Sequence, residues 1–90
     1  MNQLDFEAAL RRDGYNEIDT RNQTPGLENA AHSHPFDVRA LMLSGELTLG
    51  FDGRVQVCHA GDIFTMKAGC EHTEKFGPEG ASYIAGRRQG

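Results

Sequence analysis

Residues 46–59 read ELTLGFDGRVQVCH, and the reading of this stretch decides the fold. Leu47 and Leu49 alternate with Thr48 on one side, and Cys58 alternates with Val57 and His59 on the other. Between the two runs stands Asp52-Gly53, a dipeptide that tolerates the positive φ angles of a two-residue hairpin turn. Two antiparallel strands joined by a tight turn are predicted. Upstream, Asp37, Arg39, Leu41 and Leu43 alternate with Val38, Ala40 and Met42. Downstream come Gly61-Asp62, IFTM (63–66), a turn at KAG (67–69), HTEKF (72–76), a turn at GPEG (77–80) and a last strand ASYIAG (81–86). Before residue 37, YNEIDTR (15–21), QTPG (23–26) and LENAAHSH (27–34) continue the same grammar of short runs bounded by turn residues. Roughly eight short strands at close spacing predict an all-β sandwich or barrel, with no strand–helix alternation to support a parallel sheet.

One segment breaks this period. Phe6, Ala9 and Leu10 fall on one face at helical spacing, so a short helix is predicted at about residues 5–13. Asp5 is the expected cap, Arg11 and Arg12 suit the negative end of the helix dipole, and Gly14 closes the helix. The barrel then occupies about residues 17–86 of a single domain spanning residues 1–90.

Composition narrows the classes of function. Ninety residues make one small domain with a thin core, since a chain of this size buries only ~60% of its unfolded surface. The two cysteines, Cys58 and Cys70, form no disulfide framework and fit a reducing compartment. A net charge of −4 argues against an electrostatic grip on nucleic acid or on an anionic membrane. The N-terminus MNQLDFEAALRR lacks the apolar run of a signal peptide, and nothing approaches the ~20 apolar residues of a membrane span. A cytoplasmic protein is expected. A metal, a partner subunit or both would help such a chain stay folded, and a homodimer that protects exposed strand edges is the expectation.

The chain has four histidines, and two of them stand in AHSHPFDV (31–38). Residues i and i+2 of a strand share a face, so His32 and His34 aim the same way. The pair is either a hydrogen-bonded patch on a half-buried strand or half of a metal site. A site needs a third ligand, and His72 follows a Gly-containing turn on a later strand that could lie beside the first. Spacing alone leaves both readings open.

The chain resembles a small single-domain cupin. The resemblance rests on two motifs. Gly26 precedes His32 by five intervening residues, and HSHPFDVRALMLSG runs from the pair to Gly45. Gly61 is followed by five residues, then KAG, two more residues and His72. The resemblance covers about residues 24–86 and implies a jelly-roll β-barrel. It further implies one divalent transition metal (iron, zinc, nickel, manganese or copper) held by His32, His34 and His72. The family's glutamate would fall at Val38, which cannot bind a metal. Asp37, one residue early, is a candidate fourth ligand if the proline at residue 35 undoes the strand alternation. Lys67 and Phe76 replace the proline and asparagine of the second motif, and neither is a ligand position.

Other candidates surround this centre. Arg39 would grip an acidic ligand if it faced the cavity, or pair with an acidic neighbour if it faced out. Phe36, Phe64, Phe76, Tyr83, Leu41 and Leu43 are read as core or cavity wall, with Phe36 and Phe64 the candidates for ligand contact. Glu71 and Glu74 flank His72 and are either solvated turn charges or groups that act on the metal site. Cys58 and Cys70 are read as packing residues, and His59 as a surface residue at a strand end. Three classes of function follow. One is a metal-dependent enzyme, dioxygenase- or isomerase-like, acting on a small organic acid, a sugar derivative or an aromatic compound. Another is a non-catalytic barrel that binds or senses a small molecule. The third is a bare structural barrel whose task is self-association. One fold hosts many activities, so the resemblance does not choose between them.

Overall fold

The hairpin at Asp52-Gly53 forms as the dipeptide dictates, with both residues at positive φ (50° and 70°). It joins strand β3 (Phe36–Phe51) to β4 (Arg54–His59), paired in antiparallel register from Glu46↔His59 to Phe51↔Arg54. The computed structural model describes residues 1–89. Among them lie a helix α1 (Gln3–Arg12) and the further strands β1 (Glu17–Gln23), β2 (Glu28–His32), β5 (Ile63–Met66) and β6 (His72–Gln89). No helix among the described residues is long and apolar enough to cross a membrane.

The strand count is lower than the eight runs of the sequence because β3 and β6 are long, at 16 and 18 residues. They pair antiparallel along almost their whole length, from Phe36↔Gln89 to Gly50↔Thr73. GPEG at 77–80, expected as a turn, lies inside β6 as a bulged stretch opposite the shift in β3 between Gly45 and Leu47. Gly45 and Gly80 make this bend possible. Both have positive φ, and a Cβ on Gly45 would overlap the Gly80 carbonyl oxygen.

The bend divides the β3–β6 ribbon into two halves with different neighbours. At one end β1 pairs with β6 and β5 pairs with β3. At the other end β2 pairs with β6 and β4 pairs with β3. The main core lies between the halves: Ala40, Met42, Phe64, Met66 and Tyr83 come from the first, Leu47, Leu49, Cys58 and Phe76 from the second. The result is an all-β jelly-roll barrel with one short helix, as the sequence predicts.

Alternation along β3 sends Leu41 to the opposite face from Ala40 and Met42. There it meets Phe6, Leu10, Tyr15 and Ile84 in a second cluster, with Leu43 at its edge. Helix α1 therefore covers the outer face of the sheet. Burying Phe6 and Leu10 contributes about 1.5–3 kcal/mol each. Gly86 leaves room for this packing, since a Cβ there would stand 2.9 Å from the Leu10 methyls. The helix starts two residues earlier than expected because Asn2 caps it, its side-chain oxygen accepting from the Asp5 amide at 2.8 Å. Asp5 instead supplies negative charge in the first turn.

Candidate metal centre

His32 closes β2 and His72 opens β6, and the antiparallel register sets the two directly opposite each other. His34 lies two residues past His32, in a connection held down where its carbonyl accepts from the Gly69 amide at 2.8 Å. The three rings converge. Ring centroids are 4.4 Å apart for His32 and His72, 5.0 Å for His32 and His34, and 5.3 Å for His34 and His72. One nitrogen from each ring lies within 4.8 Å of the others.

Two of the rings have their tautomers set by backbone. His32 Nδ1 donates to the Ala30 carbonyl at 2.8 Å, and His72 Nδ1 donates to the Cys70 carbonyl at 3.1 Å. Each Nε2 then keeps a free lone pair. His34 lies parallel to Phe36, with centroids 4.9 Å apart. Burial holds His34 below the usual histidine pKa, aided by the neighbouring imidazoles, so its neutral, ligating form is favoured. Donors sharing one ion sit about 2.9–3.4 Å apart, so the three rings would draw together slightly around a metal. The donor set, three imidazoles of which two hold Nδ1 against backbone carbonyls, fits a divalent transition metal.

The histidines line a cavity of about 560 Å³ between the two halves of the barrel. Phe36, Val38, Phe64, Met66 and Leu49 supply apolar wall, and Tyr83, Gln23, Asn29 and Glu74 supply polar groups. Phe36 and Phe64 therefore stand where the sequence places them. Tyr83 accepts a hydrogen bond from Gln23 Nε2 at 3.1 Å, which leaves its own hydroxyl proton free to donate. Burial pushes its pKa up, so it stays a phenol.

Asp37 does not join the histidines. Alternation survives the proline: Phe36 and Val38 face the cavity, and Asp37 faces out. Its carboxylate accepts from the Ala68 amide at 2.8 Å and from Arg88 Nη2 at 2.9 Å. Those contacts hold its pKa below the usual carboxylate range. Arg39 has the same parity and is likewise outside the cavity. It donates to Asp13 at 2.6 Å and lies 4.6 Å from the Tyr15 ring centroid. Arg88 lies 4.5 Å from the same ring. Asp37 and Arg39 thus belong to a charged network that pins the end of α1 to the sheet.

Glu71 and Glu74 separate in the same way. Glu71 is exposed and away from the cavity, whereas Glu74 shares the face of His72 and lines it. Cys58 is buried, and Cys70 serves His72 through its carbonyl rather than its sulfur. His59 is exposed, 3.8 Å from Glu46. The sequence reading missed the polar lining contributed by β1, at Glu17, Asp19, Arg21 and Gln23, and by Arg87 of β6. The available signal was their period-two spacing.

Comparison with known proteins places this geometry in a family. The family model described as Cupin domain matches residues 22–78. A structural-genomics protein of unknown function from Rhizobium leguminosarum is similar at 23% identity and a TM-score of 0.76, over 81% of this chain and 69% of that one. An uncharacterized conserved protein with a double-stranded beta-helix domain from Klebsiella pneumoniae is 30% identical at a TM-score of 0.68, over 81% of this chain and 66% of that one. The DMSP lyase DddQ from Ruegeria pomeroyi shares the fold at 19% identity and a TM-score of 0.71, over 79% of this chain but 36% of the lyase. Among curated proteins, none matches the sequence. With both motif histidine groups converging in the barrel and the family model covering most of the chain, this protein belongs to the cupin domain family.

Proposed function

We propose that this chain is a metal-binding cupin in which His32, His34 and His72 hold one divalent transition metal and the cavity beside them takes a small organic molecule. The carrying observation is the convergence of three imidazole donors within 4.8 Å at the cavity wall. When bound, such an ion would polarise a carbonyl or activate a water, or support oxygen chemistry if it is iron.

The chain's own groups do the rest. Phe36, Phe64 and Met66 exclude water from one side of the ligand. The Tyr83 hydroxyl, which accepts from Gln23, keeps its proton free to donate to a ligand in the cavity. Phe36 keeps the His34 ring in its plane, and the Ala30 and Cys70 carbonyls keep the other two rings from flipping. The cavity volume suits a small organic acid, a sugar derivative or an aromatic compound. A sensing barrel saturates with such a ligand and an enzyme consumes it, so turnover separates the two forms of this reading.

The test is metal content per chain in protein purified without affinity tag or chelator, beside His34→Ala. Near one metal per chain in the parent and near none in the variant is expected. The reading fails if the parent carries no metal and takes up none of added iron, zinc, nickel or manganese. A homodimer is also proposed. Its support is that β4 and β5 each pair only with β3 among the described residues, and that Val55 on β4 is 70% exposed.

A further inference from the structure

The position where the family's glutamate would fall holds Val38, a wall residue of the cavity. Three neutral imidazoles leave a divalent ion with its full charge, and a carboxylate nearby would balance it. Four acidic groups besides Asp37 can be compared. Glu71 is exposed and outside the cavity. Glu17 and Asp19 belong to β1, which pairs with β6 at residues 81–87, away from His72. Glu74 is the fourth, and it meets His32.

Glu74 lies two residues after His72 on β6, so the two side chains share a face. Its Oε1 is 3.5 Å from Nε2 of His32. That nitrogen is the one left free by the bond from Nδ1 to the Ala30 carbonyl. Two donors bound to one ion stand about 2.9–3.4 Å apart, so this separation is close to that of neighbouring ligands. The carboxylate is also held. Asn29, directly opposite Glu74 across the β2–β6 pairing, donates from Nδ2 to the same Oε1 at 3.0 Å. The Glu74 side chain is only 15% exposed.

We propose that Glu74 is the acidic ligand of the metal centre, supplied from the second motif's strand in place of the residue that Val38 displaces. This rests on the metal-binding reading above. Glu74 stands outside the 4.8 Å cluster of the three histidines, so its side chain would have to move from its contact with His32 toward the centre of that cluster for Oε1 to join an ion held there. Three nitrogen donors and one oxygen donor would then hold the ion.

The test titrates cobalt(II) into metal-free parent, Glu74→Gln and Glu74→Ala proteins. It reads the dissociation constant by competition with a chromophoric chelator, together with the visible absorption of bound cobalt. Gln keeps the shape and the acceptor for Asn29, so that variant remains folded if Ala does not. Far-UV circular dichroism of the metal-free proteins checks this. A loss of affinity of tenfold or more together with an altered cobalt spectrum is expected for the variants that fold. Parent affinity and parent spectrum in the folded variants would overturn the proposal while leaving the three-histidine site intact. Weakened affinity with an unchanged spectrum would also overturn it, because Glu74 would then only orient His32. A parent protein that binds no cobalt would remove the metal-binding reading and this inference together.

Discussion

Asp37 and Val38 are adjacent, and the pleat of one strand sends them to opposite environments. Val38 faces the cavity, and Asp37 accepts from Arg88 and the Ala68 amide on the outer face. Asp37→Asn is therefore expected to bind metal as tightly as the parent, within about twofold by chelator competition, because surface changes away from a site have small effects. Its stability is expected to change with pH in a defined sense. The folded carboxyl has a pKa lowered from 3.8, chiefly by the Ala68 amide and then by Arg88. Its stabilisation is present above 3.8 and is lost as pH falls through the lower folded value. Urea unfolding should show Asp37→Asn less stable than the parent at pH 7, with a smaller difference at pH 3. At this scale the histidines were legible, since parity and motif spacing are local. The fate of Asp37 was not, because whether Pro35 resets the parity depends on how β3 seats against β5 and β6. For Glu74 the choice between a solvated charge and a group acting on the metal site was not legible, because it depends on Asn29 and His32 across the β2–β6 pairing.

At the scale of the element, β3 and β6 carry the architecture, and two glycines let them bend together. Gly45 has φ +78° and its missing Cβ leaves space for the Gly80 carbonyl. Gly45→Ala is expected to destabilise by about 3 kcal/mol or more in urea unfolding, combining left-handed strain with a clash against backbone. Gly69→Ala is the comparison. It has φ +79° but open space around it, and about 1–2 kcal/mol is expected from strain alone. Equal effects at the two positions would show that close approach at the bend matters little. The Asp52-Gly53 hairpin was readable because a two-residue turn is specified by its own dipeptide. GPEG was misread as a turn for a related reason: glycine marks positive φ, and positive φ serves a bulge within a strand as well as the end of one.

At the scale of the molecule, the sheet has two faces with different tasks. The inner face holds the core and the cavity, and the outer face is closed by α1 through Leu41, Ile84 and the Asp13–Arg39 pair. What the helix covers was not legible, because the parity of Leu41 assigns it a face without saying which element packs there. Among the described residues β4 and β5 each pair with β3 alone, as β1 and β2 each pair with β6 alone, and Val57 and Ile63 on β4 and β5 are also exposed. The proposed dimer predicts elution at twice the chain mass in gel filtration at micromolar concentration, and elution as a monomer would remove it. The pairing scheme has a further consequence, for the order in which the protein can be made. Strand β6 is last in sequence, yet it pairs with β1, β2 and β3. A chain emerging from the ribosome can zip β3 with β4 and β5, but β1 and β2 have no partner until residues 72–89 arrive. Both ends of the cavity, and the meeting of His32 with His72, therefore form only after synthesis of β6. Until then β3, β4 and β5 form a partial sheet whose apolar face waits for the strands that β6 brings against it.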